Sequence, residues 1–127
     1  MVFVLAFGFE GPDFIVLILE GLMNRDDERE KRFVKMVADY PDSAIAHFSL
    51  GRLYLEQQQY SEAVVHLAEA TKLDITYAAG LTALGDAYIG LGDAAGAKIV
   101  LERAQQLAQD QAHPGLAEEI KDRIKQL

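Results

Sequence analysis

Two imidazoles raise the first chemical question. His47 and His66 stand 19 residues apart, on what periodicity reads as two neighbouring helices, where they could share a metal ion. Zinc takes three or four ligands, and no acidic residue falls in register beside them. They are therefore read as packing and surface histidines, and no metal is expected. Gly90-Leu91-Gly92-Asp93 is rich in glycine but reads as a helix end and turn rather than a phosphate cradle. The paired acids Glu118 and Glu119 belong to a solvated helix face and need no catalytic role. With 3 Ser, 3 Thr, 3 His and no Cys, thiolate metal sites, disulfides and cysteine nucleophiles are excluded. Nucleophile, base and oxyanion donor do not converge anywhere. The chain is expected not to be an enzyme and to need no cofactor.

Charge narrows the partners. The net charge is −8, with 12 basic residues scattered along 127 positions. An acidic chain without a basic patch is poorly suited to nucleic acid. It also lacks the Lys/Arg cluster that holds an anionic membrane surface.

The elements that position these residues repeat. Shifting the sequence by 34 places pairs Gly51 with Gly85, Leu50 with Leu84, Tyr54 with Tyr88 and Ala44 with Ala78. The same shift pairs Ala63 with Ala97, Leu67 with Leu101, Ala70 with Ala104 and Leu73 with Leu107. Each unit reads as two helices, 44–57 with 61–73 and 78–91 with 95–108. A glycine inside a helix costs about 1 kcal/mol relative to alanine, and here it recurs at the same place in both units. Small residues let two helix axes approach closely. Gly51 is thus expected opposite Ala63, and Gly85 opposite Ala97. In the first turn, Gln58 takes the place of Gly92, which predicts a left-handed backbone at a non-glycine residue.

These residues resemble the tetratricopeptide repeat (TPR) family. Leucine-glycine, a tyrosine three residues on, then alanine, a large apolar residue and alanine in the second helix occur twice in register, over residues 44–111. The chain departs from the pattern at Ile75, where the family often has proline, and at His47 and Leu81, where a large, often aromatic residue is common. The resemblance implies an all-α, right-handed α-solenoid of antiparallel helix pairs. It also implies a concave face, lined by the first helix of each pair, that binds a peptide or protein segment. On that face fall Ile45, Phe48, Arg52, Leu55 and Glu56, then Ala79, Thr82, Asp86 and Ile89. Family members that grip a terminal carboxylate do so with Lys and Asn on this face. Only Arg52 matches in charge, so that specificity is not carried over. Arg52 and Asp86, one repeat apart, are placed to pair with each other, and the trio Ile45, Phe48 and Leu55 suits an apolar helix or strand. Burial of the trio against a flanking helix is the alternative.

The flanks are expected to complete the stack. Residues 26–39 read as a helix with Phe33, Val34, Met36 and Val37 on its apolar side, a half-repeat preceding Pro41. Pro114 starts a capping helix with Leu116, Ile120, Ile124 and Leu127 on one face. Its other face carries Glu118, Glu119, Lys121, Asp122, Arg123 and Lys125. Residues 24–127 form the expected domain, with repeats at 44–77 and 78–111 and the cap at 114–127.

Residues 1–23 stand apart, with 16 of 23 apolar. There is no basic n-region or cleavage site of a signal peptide, which points to a cytoplasmic protein. Glu10, Pro12 and Asp13 cut the apolar run below the length of a membrane span. The stretch from Phe14 to Leu19 has the composition of a β-prone segment. Three readings stand open: a translated stretch upstream of a natural start at Met23, a segment packed in a groove of its own or a neighbouring chain, and a membrane-touching anchor. In the second, Phe14–Leu19, from the same or a neighbouring chain, packs on Ile45, Phe48 and Leu55 together with the side of the 26–39 helix around Phe33 and Val37. The functional expectation is a protein-interaction adaptor with a protein or peptide partner. The alternative is a self-assembling module, a homo-oligomer built through the apolar N-terminus.

Overall fold

The computed structural model describes residues 12–127. Among them all regular structure is helical: α1 (Pro12–Asp39), α2 (Ala44–Glu56), α3 (Tyr60–Leu73), α4 (Ala78–Gly90), α5 (Ala94–Asp110) and α6 (Pro114–Lys125). The chain divides into two compact units, residues 1–32 and 33–127, and α1 has residues in both.

In the first unit the helix is longer than the sequence suggests. It begins at Pro12 rather than near residue 26, because a proline fits the first turn of a helix, where its missing N–H costs nothing. Phe14 to Leu19, expected to favour a strand, is helical. A lone strand would leave its backbone groups unpaired, whereas a helix satisfies them within itself. Ile15, Val16, Leu17, Ile18 and Leu19 are each about half exposed, between 47 and 58 %. The stretch therefore keeps an open apolar surface. No helix of the described residues is long and apolar enough to cross a membrane. Residues 1–11, which include most of the first apolar run, lie outside the described residues.

In the second unit each helix packs on the next: α2 on α3, α3 on α4, α4 on α5 and α5 on α6, with α2 also meeting α4. One core joins the first repeat to the second through Ala63 and Leu67 of α3 and Ala83, Leu84 and Ala87 of α4. The other joins α5 to the cap through Leu101, Ala104, Ala117 and Ile120. The repeated glycines sit where these helices come closest. A Cβ at Gly51 would lie 2.6 Å from Leu67 Cγ and 2.8 Å from its Cδ2, and one at Gly85 would lie 2.5 Å from Leu101 Cδ2. The atoms nearest such a Cβ are thus those of a leucine one helical turn beyond each expected alanine. The leucines press directly on the glycine backbone, and Ala63 and Ala97 are buried beside them.

The turns explain the spacing. α2, α4 and α5 all end in the same way, with the third residue past the helix donating back five positions. Gln59 N donates to Tyr54 O (2.8 Å), Asp93 N to Tyr88 O (2.9 Å) and His113 N to Ala108 O (2.8 Å). That closure needs a left-handed residue just before the donor. It is Gln58 (φ 59°), Gly92 (φ 79°) and Ala112 (φ 57°) respectively. The positive φ at Gln58 is as expected; the one at Ala112 had no glycine counterpart to announce it. Between α3 and α4 the device differs. Asp74 Oδ1 accepts from Thr76 N (3.0 Å) and from Thr76 Oγ1 (2.7 Å).

Candidate functional site: the groove on the first-helix face

The 34-residue period places Arg52 on α2 and Asp86 on α4 at equivalent positions, and 33 residues later Glu119 follows on α6. Because α2 meets α4 and Arg123 of α6 reaches Asp86 of α4, these positions border a common groove. Its volume is about 330 Å³. Arg52, Leu55 and Glu56 line it from α2, and Ala79, Thr82, Ala83 and Asp86 from α4. The cap contributes Leu116, Glu119 and Arg123.

Six of the nine residues expected on this face therefore line one cavity: Arg52, Leu55, Glu56, Ala79, Thr82 and Asp86. The other three do not. Phe48 lies one turn before Arg52 and is half-buried, its ring against Tyr77 with centroids 4.8 Å apart. Ile45 stands 65 % exposed at the first turn of α2, and Ile89 is 41 % exposed at the last turn of α4. Thr82 is buried and its hydroxyl donates to Ala78 O at 2.8 Å, so what it offers the groove is a committed side chain. Sequence reasoning missed Ala83, Leu116, Glu119 and Arg123. The near-repeat spacing from Asp86 to Glu119 carried the signal, but the cap's charges read as a solvated face.

The electrostatics also differ from expectation. The pairing of Arg52 with Asp86 does not form. Arg52 instead sets its guanidinium over the Phe48 ring, 5.8 Å from the centroid. Asp86 has a different cation, Arg123 of the cap, with Nη1 3.3 Å from Oδ2. Arg123 Nη2 donates to Glu119 Oε1 at 2.8 Å. One arginine thus serves two carboxylates. Burial raises the Asp86 pKa from its ordinary value and Glu119 adds to the rise, while Arg123 and Arg52 oppose it. The groove is a mixed surface, apolar along Leu55, Leu116 and the alanines and charged along its rims.

The two histidines meet away from this groove. His47 is buried, and its Nε2 lies 2.9 Å from Pro41 O. A carbonyl only accepts, so that nitrogen carries the proton and donates. Nδ1 of His47 is then free to accept from His66 Nδ1–H, 3.4 Å away. The rings stack at 5.6 Å, with Tyr54 tilted against His66 at 5.7 Å. Burial lowers the His66 pKa, and His47 lowers it further. The pair packs as expected, and among the described residues no cluster of three or more possible metal ligands occurs.

Comparison with known proteins agrees with this architecture. Residues 51–92 match a TPR repeat model and residues 78–111 match a tetratricopeptide repeat model. The TPR repeat-containing protein PA0015 of Pseudomonas aeruginosa is 38 % identical over 69 residues, which span 54 % of this chain and 66 % of that protein. Among solved structures, protein BPP2914 of Bordetella parapertussis superposes with a TM-score of 0.67 at 30 % identity, covering 76 % of this chain and 84 % of that one. PcrH, solved in complex with the chaperone binding region of PopD, superposes with a TM-score of 0.75 at 20 % identity, covering 88 % and 85 %. Two in-register repeats, glycines seated on leucines and a capped stack of helix pairs all carry the same signature: the chain belongs to the tetratricopeptide repeat family.

Proposed function

We propose that this protein is an adaptor that binds a segment of another protein in the groove between α2, α4 and α6. The observation that carries the reading is the cavity itself. Residues of three helices, drawn from both repeats and the cap, converge on a concavity with apolar walls and charged rims. A groove of that kind suits a peptide with alternating apolar and polar side chains. The PcrH complex, whose fold is similar, holds a region of PopD, which is consistent with a segment-binding role for this architecture. The groove's hydroxyl is committed to the Ala78 carbonyl, so the reading is of a binding module rather than a catalyst. The test is capture of a partner by the wild-type chain and by Ala79→Trp. Ala79 is exposed at the groove, so tryptophan there fills the mouth without disturbing the core. A partner captured equally well by both proteins would place binding elsewhere.

A second reading rests on a separate observation, the half-exposed apolar residues from Ile15 to Leu19 and Leu22. Contiguous apolar surface of this kind marks an interaction site, and self-assembly through α1 would cover it. Light scattering on the full chain and on residues 23–127 decides: if both are monomers, self-assembly is excluded.

A further inference from the structure

The groove's rims are unbalanced in a way that specifies the charge of what binds there. Glu56, Asp86 and Glu119 bring three carboxylates, and Arg52 and Arg123 bring two guanidinium groups. The two arms of Arg123 are not equivalent. Nη2 makes a good hydrogen bond to Glu119, but Nη1 is buried without a hydrogen-bond acceptor although Asp86 lies 3.3 Å away. The contact to Asp86 is therefore one of charge, poorly aligned. Asp86, whose side chain is only 34 % exposed, accepts no hydrogen bond among the described residues. Burial raises its pKa and Glu119 adds to the rise, against Arg123 and Arg52.

The apolar side of the groove asks for something else. Leu55 and Leu116 face a stretch kept open by the short side chains of Ala79 and Ala83. The space equals on the order of ten water molecules, enough for a large side chain entering from outside. We propose that the bound segment is basic: an aliphatic or aromatic residue enters beside Leu55 and Leu116, and a neighbouring Lys or Arg donates to Asp86 and Glu119. A carboxylate on the segment would instead add a fourth negative charge to the same rim. The net charge of −8 acts in the same direction at longer range, steering cationic segments toward the chain. This inference rests on the groove's being the binding face.

The test is a phage-displayed random peptide library panned on the full chain and counter-panned on Ala79→Trp, with circular dichroism confirming that each variant is folded. Peptides dependent on Ala79 should share an apolar residue with Lys or Arg within a few positions. Glu119→Gln should weaken such a peptide about fivefold, the upper range for a partly exposed ion pair. Changing the peptide's Lys or Arg to Ala should abolish that sensitivity. Asp86→Asn, which keeps the shape of the side chain, should behave in the same way. Groove-dependent peptides that are acidic or uncharged, or that ignore both substitutions, would overturn the charge assignment and leave the binding face intact. If no peptide is sensitive to Ala79→Trp, the binding face itself is wrong and the inference falls with it.

Discussion

The two repeats share a frame and differ in how they finish it. In both, a mid-helix glycine receives a leucine from the second helix, Gly51 from Leu67 and Gly85 from Leu101. Around that shared contact the second repeat uses the simpler solutions. Its turn has Gly92 at the left-handed position, and Asp93 caps α5 by accepting from Gly96 N at 2.9 Å. The first repeat has Gln58 at the left-handed position and Gln59 at a helix start with no side-chain cap. Where the second repeat has Leu81 and Val100, the first has His47 and His66. The difference teaches that the glycine–leucine contact defines the unit. Turn residues and the polar pair can vary once that contact is made.

If that is right, the largest effects come from the shared contact and are the same in both repeats. Leucine at Gly51 or Gly85 would drive a large side chain into Leu67 or Leu101, costing about 1–3 kcal/mol through overpacking. Urea denaturation should show the two losses to be similar, with the fold giving way around the contact rather than at a turn. An unchanged melting temperature for either variant would show that glycine is not needed there. Gly90 makes a related demand between repeats, since a Cβ there would meet the Tyr60 ring.

A second effect should appear in the first repeat alone, and it depends on pH. His66 has a pKa lowered by burial and by His47, so the unfolded chain takes up its proton at a higher pH than the folded one. The neutral form's stability is fully present above pH 6.5, the ordinary histidine value, and is lost as pH falls from there toward the lowered folded value. Replacing the pair with the second repeat's residues, as His47→Leu with His66→Val, should flatten the stability profile in that window. A profile that keeps its slope in the double variant would assign the pH dependence to other groups.

Turn residues come next in size. Gln58→Gly and Ala112→Gly both relieve a left-handed backbone at a residue with a Cβ, and each should gain about 0.5–1 kcal/mol after the entropy cost of glycine is deducted. Gly92→Ala should lose a similar amount. Thermal melts that rank the three variants in the opposite order would mean that the turns are set by contacts outside the backbone.

What the sequence reveals follows from the same division. The repeat, the helix pairs and the cap are legible because the leucine–glycine and alanine positions recur at a fixed 34-residue interval. Gln58 is legible by comparison with Gly92. Leu67 as the side chain nearest Gly51 is not legible, since a stripe of small residues marks the contact face but not which neighbour reaches deepest into it. Arg123 and Glu119 are missed for another reason. Their spacing on α6 fits a solvated face equally well, and only the packing of the cap on α5 brings them to the groove. The beginning of α1 is misread because the composition of Phe14–Leu19 favours a strand, while no strand to pair with it occurs among the described residues.

The smallest effect tests the remaining difference between the turns. Asp93 caps α5 through its side chain, whereas Gln59, at the equivalent position before α3, makes no cap hydrogen bond and reaches instead to Gln57 Oε1 at 3.2 Å. Glutamine is one methylene longer than the residues that cap well, and it carries no charge to favour the positive end of the helix. The backbone at the two positions is nearly the same, φ −89° and ψ 73° at Gln59 against φ −91° and ψ 79° at Asp93. Gln59→Asp should therefore place a carboxylate within reach of Glu62 N, as Asp93 does for Gly96. The acidic side chain of Glu62 in that first turn will reduce the gain by repulsion. The expected stabilisation is about 0.5 kcal/mol, at the low end for a cap, and it should shrink as pH falls below the aspartate range. Equal stability of Gln59→Asp and wild type in urea at neutral pH would show that repulsion from Glu62 cancels the cap, and Glu62→Gln in the same background should then restore it.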